Sequence, residues 1–166
     1  MNESAGGARE LVRRATVEDA AELVRLRVQM FYDMGRDPGP EDAPWRGAAH
    51  DWFGERLADE KSFAAFVVEG PGGRGIVSCA AGICDRYAPG PTSPGGLVGH
   101  LFNVATDVEA RRRGYARACV DALMEWFEAD TEVRVINLNA TDDGARMYRD
   151  MGFHEPRYPA LQFRME

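Results

Sequence analysis

Hydrophobic residues recur along the chain with two periods, one typical of helices and one of strands. The clearest helical stretch follows Gly114, where apolar positions fall on one face and charged positions on the opposite one. That apolar face comprises Ala116, Cys119, Val120, Leu123, Trp126 and Phe127. A second amphipathic stretch follows Thr16, which with Asp19 is typical of a helix N-cap and its reciprocal acid. We predict helices in both places, the one after Thr16 ending near Gly35.

Short apolar runs bounded by glycine and proline predict the strands. The predicted strands are 10–15, 63–68, 76–84, 97–106, 133–140, a short one around Phe153 and 161–165. Two further helices are predicted over 45–57 and 142–151, the second closed by Gly152 just beyond its end. This order predicts a mixed α/β (α+β) fold, with helices on the faces of one sheet.

Length and composition limit the class of protein. The 166 residues are 45% hydrophobic and 28% charged, which suits a single domain over 10–166 after a flexible, glycine- and alanine-rich tail over 1–9. No apolar run is long enough for a signal peptide or a membrane span, so no membrane partner is expected. Three cysteines in apolar surroundings suit buried thiols and a reducing compartment, which favours a cytoplasmic protein.

Charge and residue spacing argue against two kinds of ligand. The formal charge of −7 is unsuited to gripping a phosphate backbone, so no nucleic-acid partner is expected, and the field of the protein favours cationic small molecules. The three histidines and three cysteines show no metal-ligand spacing, so no metal is expected.

A basic turn, Arg111-Arg112-Arg113-Gly114-Tyr115-Ala116, lies between the predicted strand 97–106 and the helix that follows it. Such a turn leaves backbone N–H groups free to face an anion at the positive end of a helix dipole. Gly114 would let a pyrophosphate approach closely. Taken alone, the arginine triplet is better explained by a solvated surface. Neither a P-loop nor a dinucleotide-binding glycine motif is present, so a different diphosphate ligand is predicted.

These residues resemble motif A of the GNAT superfamily of N-acetyltransferases, Arg/Gln-x-x-Gly-x-Gly/Ala, here Arg111, Gly114 and Ala116. The segments 103–106 and 145–153 are also similar to the later half of that family. The resemblance covers 97–153 well and the preceding residues by pattern only. It implies a mixed, mostly antiparallel central sheet of about six or seven strands, flanked by about four helices.

The resemblance also implies acetyl-CoA as co-substrate. Its pyrophosphate would lie on the N–H groups of residues 112–116, its pantetheine arm along the strand that ends at Thr106, and its thioester carbonyl at the N–H of Val104. This chain has Asp142 where many relatives have asparagine, so either Asn139 partly replaces that contact or Asp142 serves only as a helix N-cap. The implied binding residues are Val104, Thr106, Arg111, Arg112, Arg113, Gly114, Tyr115, Ala116 and Asn139.

Acyl transfer to an amine needs a proton for the departing thiolate, and Tyr148 is the candidate donor. In the family this tyrosine lies beside the CoA sulfur. The alternative is a core aromatic, since Ala145, Tyr148 and Met151 share one helix face.

The transfer also needs a base for the amine, and His100 is the candidate. It lies eleven residues before Arg111, where several family members place their base. Period two puts His100, Phe102 and Val104 on one strand face, toward the same cleft. The alternative is a histidine that only hydrogen-bonds a loop. Asp107 and Glu109 are weaker candidates.

The first two predicted helices and the loop between them usually shape the acceptor pocket in such enzymes. Here they offer Phe31, Tyr32, Asp33, Asp37, Glu41, Asp42, Trp45 and Trp52. Aromatic rings with carboxylates would suit an organic cation, although a solvated acidic loop beside packed tryptophans is the better explanation of any single residue. We therefore predict an amine acceptor, either a small molecule or a peptide, and expect a homodimer from family habit.

Three hypotheses for function follow. The first is an N-acetyltransferase that transfers the acetyl group of acetyl-CoA directly to an amine in a ternary complex. The second is a noncatalytic acyl-CoA-binding or regulatory module. The third, more distant, is a ping-pong acyltransferase with Cys119 as nucleophile.

Overall fold

A five-stranded sheet forms the centre of the molecule, with its strands in chain order. The structure is a computed structural model that describes residues 3–166. Its strands are β1 (Val12–Arg14), β2 (Phe63–Glu69), β3 (Ile76–Arg86), β4 (Leu97–Thr106) and β5 (Ile136–Asn137). Its α-helices are α1 (Glu3–Glu10), α2 (Ala20–Asp33), α3 (Pro44–Ala58), α4 (Tyr115–Asp130) and α5 (Asp142–Asp150). Neighbouring strands are antiparallel up to β4, and β5 runs parallel to β4.

The mixed α/β class is confirmed, but the predicted count of six or seven strands is wrong. Among the described residues, 153–166 contain no strand, and the predicted strand 133–140 is reduced to two residues. Phe153 is not in a ladder because its N–H donates to the carbonyl of Tyr148 at the end of α5. Gly152, at φ +97°, ends the helix as predicted, and its N–H donates to the carbonyl of Arg149. The Gly152 and Phe153 hydrogen bonds together form a Schellman motif.

The predicted count of four helices is also wrong, because a fifth helix lies where a flexible tail was expected. Residues 3–10 form α1, while residues 1 and 2 of the predicted tail lie outside the described residues. Helix α1 is held by Ala8, which is 3% exposed and packs in the same core as α4. Arg9 also forms an ion pair with Glu125 of α4. The single domain over 10–166 stays a prediction.

Helices cover both faces of the sheet. Helices α2 and α3 pack on one face through Leu23, Leu26 and Phe53, which are almost fully buried. Helix α4 packs on the other face, where Phe127 approaches the sheet closely. A Cβ atom on Gly82 would lie 2.7 Å from the Phe127 ring, so a glycine is required for this contact.

The parallel contact between β4 and β5 is short. Only Gly99 with Ile136 and His100 with Asn137 are paired. Strand β4 then continues to Thr106 with no strand beside it on that side in the described part of the chain. The two strands therefore splay apart and leave a wedge next to the second half of β4.

Candidate active site

The wedge opens into a cleft of about 1550 Å³. It is lined by His100, Val104, Thr106, Arg111, Arg112, Gly114, Tyr115, Ala116, Asn139 and Tyr148, which are all the predicted site residues except one. The exception is Arg113, whose side chain lines a separate cavity of about 250 Å³ together with Asp107 and Glu109. The fold thus brings the predicted proton donor, base and pyrophosphate turn to one cavity.

A β-bulge interrupts β4 inside this cleft. Phe102 pairs with Ala81 and Ala105 pairs with Cys79, so two residues of β4 together face one residue of β3. Asn103 is the residue that absorbs the extra length, at φ +52°. Asparagine tolerates this left-handed region better than most residues, and a bulge leaves backbone groups out of the ladder. Val104 follows directly.

The bulge shows that one predicted arrangement is wrong. His100 stacks on Phe102, with ring centroids 5.8 Å apart, and Phe102 packs in the core beneath α2 and α3. Val104 packs in the opposite core, with α4. The inserted residue reverses the alternation of side chains, so His100 and Val104 do not share a strand face, although both line the cleft.

Asn103 is fixed from the interior of the protein. It is 2% exposed, and its amide nitrogen donates to the Leu23 carbonyl at 3.3 Å. Its amide oxygen accepts from Arg27 at 3.1 Å, and its own carbonyl accepts from the Cys79 thiol at 3.1 Å. Sequence reasoning missed Asn103, but an asparagine inside an apolar strand is itself a signal, because asparagine is depleted in strands.

The basic turn before α4 presents unpaired backbone donors. Arg112 at φ +59° and Gly114 at φ +78° curl the chain. Within the described residues, no protein acceptor takes the N–H groups of 112–117. Such a curl at a helix N-terminus is an anion-binding geometry, because the donors converge and the helix dipole adds its field.

Arg111 joins this turn to α2. Its Nε donates to the Thr106 carbonyl at 3.1 Å, and its Nη2 pairs with the Asp33 carboxylate at 2.6 Å. Arg112 and Arg113 have no carboxylate within 4 Å among the residues described. The turn therefore keeps two guanidinium groups uncompensated beside its free amides.

Tyr148 packs in the core and also lines the cleft. The side chain is 8% exposed, and its ring meets Phe153 edge-on at 5.8 Å. Its hydroxyl has no hydrogen-bond partner in the described part of the protein. Burial raises the pKa of Tyr148 to about 12. The phenol is therefore held in its protonated form.

At the end of the wedge near β5, the residue that caps helix α5 is not Asp142. Asn139 is exposed in the loop after β5 and lines the cleft. Helix α5 is capped by Thr141, whose hydroxyl accepts from the N–H of Gly144 at 3.2 Å. Asp142 lies in the first turn instead, where a carboxylate favours the helix dipole.

Three weaker candidates lie outside this cleft. Asp107 pairs with Arg25 at 2.7 Å, and Glu109 lines the smaller cavity. Cys119 is fully buried, and burial raises its pKa to about 12. A shielded thiol of that kind is a poor nucleophile, which argues against the ping-pong hypothesis.

The acceptor side is only partly as predicted. Of the residues expected there, Asp33, Trp45 and Trp52 line the cleft. Those that do not are Phe31, Tyr32, Asp37, Glu41 and Asp42. The cleft also takes in residues that sequence reasoning missed, including Arg27, Met30, Ile83 and Asp85. Arg27 was detectable, since it interrupts the apolar stripe of the first predicted helix between Val24 and Phe31.

A sequence model of the acetyltransferase (GNAT) family matches residues 20–153. The chain therefore belongs to the GNAT acetyltransferases, which confirms the resemblance seen in residues 97–153. No curated protein sequence matches the chain at a significant level. Among the described residues, no helix is both long and apolar enough to cross a membrane.

Several solved structures share the fold over nearly the whole chain. A predicted acetyltransferase with acetyl-CoA from Clostridium acetobutylicum is 23% identical at a TM-score of 0.78, covering 91% of this chain and 94% of that one. A GCN5-related N-acetyltransferase from Ralstonia eutropha is 25% identical at 0.74, covering 92% and 97%. Glucosamine-6-phosphate N-acetyltransferase from Arabidopsis thaliana is 14% identical at 0.69, covering 92% and 96%.

Proposed function

We propose that the protein is an N-acetyltransferase that transfers an acetyl group from acetyl-CoA directly to an amine. The observation that carries this proposal is one cleft that holds both the free amides of 112–117 and the bulged edge of β4. The first feature suits a pyrophosphate, and the second suits an acyl group. The bound acetyl-CoA of the Clostridium acetobutylicum protein supports the choice of donor.

The residues of the basic turn fit this co-substrate. The N–H groups of 112–116 would hold the pyrophosphate, with Arg112 adding charge at its edge, whereas the Arg113 side chain faces the separate cavity. Arg111 and Thr106 would lie where the pantetheine arm begins. Asn139 and Tyr115 would border the arm from the other side of the wedge. When bound, acetyl-CoA supplies an acetyl group activated as a thioester.

The β4 edge would stabilise the charge that develops during transfer. The N–H of Val104 would donate to the acyl oxygen, and the anchored bulge keeps that donor fixed before the reaction begins. A preorganised amide of this kind stabilises the transition state because it needs no reorganisation during the reaction. Removing one such donor from other enzymes raises the activation free energy by about 3 to 4 kcal/mol.

Two side chains would move protons. His100 would accept the proton of the ammonium, directly or through water, so that the amine nitrogen can attack the acyl carbon. Tyr148 would donate its phenolic proton to the sulfur as the carbon–sulfur bond breaks. The Tyr148 hydroxyl has no hydrogen-bond partner among the described residues, and the residue lines the cleft, which supports this role because the donor is free for a ligand.

The second candidate is a noncatalytic acyl-CoA-binding or regulatory module. It would share the turn before α4 and differ at the acceptor side. The half-exposed His100 and the protonated Tyr148 on one cleft favour the enzyme.

Two measurements test the proposal. The first is calorimetric titration with acetyl-CoA, and the second is release of free CoA thiol across a panel of amines. We expect tight acetyl-CoA binding and acceptor-dependent thiol release. Binding with no release, for any amine, would favour the regulatory module.

The pyrophosphate turn is tested by Gly114→Glu, which places a negative charge and a side chain at a position of φ +78°. We expect acetyl-CoA binding to be lost while the fold remains. The matched control is Gly72→Glu, since Gly72 also has a positive φ of +71° and open space around it but lies outside the cleft. Equal acetyl-CoA affinity in both variants would place the pyrophosphate elsewhere.

A further inference from the structure

A guanidinium group faces the acceptor side of the cleft. Arg27 lies on α2, and its Nη1 donates to the amide oxygen of Asn103 at 3.1 Å. Its Cζ lies 5.0 Å from the centroid of the Phe31 ring. The side chain lines the cleft and is half-buried. These contacts fix the guanidinium beside the bulge of β4.

Arg27 lacks the counter-ion that other arginines of this region have. Arg25 pairs with Asp107 and Glu22, and Arg111 pairs with Asp33. Within residues 3–166, no carboxylate oxygen lies within 4 Å of Arg27, and its single hydrogen bond goes to a neutral amide. A guanidinium has five N–H donors, so most of them remain available to the cleft. Burial lowers the pKa of Arg27 from its ordinary value, because desolvation disfavours the charged guanidinium.

The surroundings of Arg27 are apolar and aromatic. The cleft walls include Met30, Trp45, Trp52, Phe102 and His100. Of the carboxylates that line the cleft, Asp33 pairs with Arg111, and neither Asp85 nor Asp143 forms an ion pair with Arg27. One uncompensated positive charge therefore lies against a largely hydrophobic pocket, and a single negative charge on the ligand would balance it.

We propose that Arg27 binds a carboxylate on the acceptor, so that the substrate is an amine that also carries a carboxylate, such as an amino acid with an apolar side chain. A planar guanidinium pairs with a carboxylate through two parallel hydrogen bonds, and the aromatic wall would hold the side chain. This inference rests on the proposed function. Arg27 contacts Asn103, which directly precedes Val104, so the carboxylate would lie close to the acyl group. An acceptor that carries its amine and its carboxylate on one carbon fits this placement.

The test compares compounds that differ only in the carboxylate. Phenylalanine, phenylalaninamide and phenethylamine form one series, and leucine with leucinamide forms another. Thiol release gives kcat and KM, and calorimetry in the presence of CoA gives direct acceptor binding. We expect kcat/KM to be at least about 10-fold higher for the carboxylates, consistent with the strength of a charged hydrogen bond. Equal or higher values for the amides and the decarboxylated amine would overturn the proposal. A phosphate-bearing amine, glucosamine 6-phosphate, is included, and preference for it over the carboxylates would overturn the proposal as well.

Variants separate recognition from a positioning role at the bulge. Arg27→Gln should lower kcat/KM for the carboxylates about 10- to 100-fold more than for the amides, chiefly through KM, and any loss shared by both reports the lost contact with Asn103. Arg27→Lys should restore part of the loss. The matched control, Arg25→Gln, lies on the same helix outside the cleft and should match the parent protein. An equal loss for all acceptors, or weaker acetyl-CoA binding in Arg27→Gln, would assign Arg27 to positioning and overturn the subsite.

The two proposals can fail separately. A protein that binds acetyl-CoA but neither binds nor acetylates any carboxylate of the panel contradicts the Arg27 subsite alone. A folded protein that binds no coenzyme A species contradicts the proposed function itself.

Discussion

At the scale of single residues, Tyr148 combines a packing role with a chemical one. Its ring lies in the core, and its hydroxyl has no partner among the described residues. Because burial raises its pKa to about 12, the phenol stays protonated throughout the pH range of ordinary enzyme assays. Removal of the hydroxyl alone therefore separates the two roles.

We expect Tyr148→Phe to lower kcat about 100-fold, the effect of losing a general acid, while acetyl-CoA affinity changes less than about twofold. The variant should keep the pH profile of the parent up to about pH 10, because Tyr148 does not titrate below that. Stopped-assay kinetics and calorimetry measure the two effects, with the exposed Tyr158→Phe as control. Unchanged turnover would remove Tyr148 from the mechanism.

Asp19 is the residue that fixes the start of α2. Its carboxylate accepts two hydrogen bonds from Arg13, at 2.8 and 3.0 Å, and one from the N–H of Thr16 at 2.8 Å. The Arg13 hydrogen bond, assisted by the Thr16 N–H, holds the pKa of Asp19 below its ordinary value despite burial. Since the folded pKa is lower than the unfolded one, this stabilisation is present above the unfolded pKa and is lost as pH falls through the folded one.

Asp19→Asn should therefore lower the free energy of unfolding by about 1 to 2 kcal/mol at pH 7, the range for a lost helix cap. The difference should begin to shrink as the pH falls below about 4, where the carboxylate of the unfolded chain takes up a proton, and should be gone once the pH is below the lower pKa of the folded protein. Urea unfolding of parent and variant, at pH 7 and below about pH 4, measures this difference in the free energy of unfolding. Asp51→Asn, on an exposed part of α3, should change little at either pH. A difference independent of pH would show that charge is not the cause.

At the scale of elements, strand β4 determines the geometry of the site. Asn103 takes a left-handed conformation that a β-branched residue adopts only at high cost. We expect Asn103→Val to lower the melting temperature and weaken acetyl-CoA binding at least about 10-fold. Asn103→Gly accepts the same φ and should retain more of both, although it loses the side-chain hydrogen bonds. Equal binding by the two variants would show that the bulge conformation is not required.

The helices and strands that were predicted correctly are those with a local signal in the sequence. Strand β4 and the start of α4 were predicted to the residue, because alternation and the Gly114 boundary are local signals. The shared face of His100 and Val104 was predicted wrongly, because the bulge at Asn103 depends on a hydrogen bond that Asn103 donates to Leu23 and one that it accepts from Arg27, both far away in sequence. Helix α1 was missed for the same reason, since its buried residue Ala8 packs against α4.

At the scale of the whole molecule, the end of the chain is the least covered region. Leu161, Phe163 and Met165 are 94%, 86% and 86% exposed, and they alternate with polar residues as in a strand with one apolar face. Strand β5 is an edge of the sheet. An exposed apolar segment and an open edge favour pairing between chains, which supports the expected homodimer.

We expect light scattering to give twice the 18.4 kDa mass of one chain at micromolar concentration. The double variant Leu161→Asp/Phe163→Asp should be a monomer, because it places charge on the apolar face. The matched control, Gln162→Asp/Arg164→Asp, changes the opposite face and should stay dimeric. A monomeric parent protein would contradict the pairing.

The burial of the thiols decides how turnover can be monitored. Cys79 and Cys119 are fully enclosed in the core, and only Cys84 is partly reachable by reagents in solution. An aromatic disulfide reagent that reports liberated CoA would thus meet at most one protein sulfur per folded chain. Continuous colorimetric recording should give a small, constant background, and any later rise in that background would report unfolding rather than catalysis.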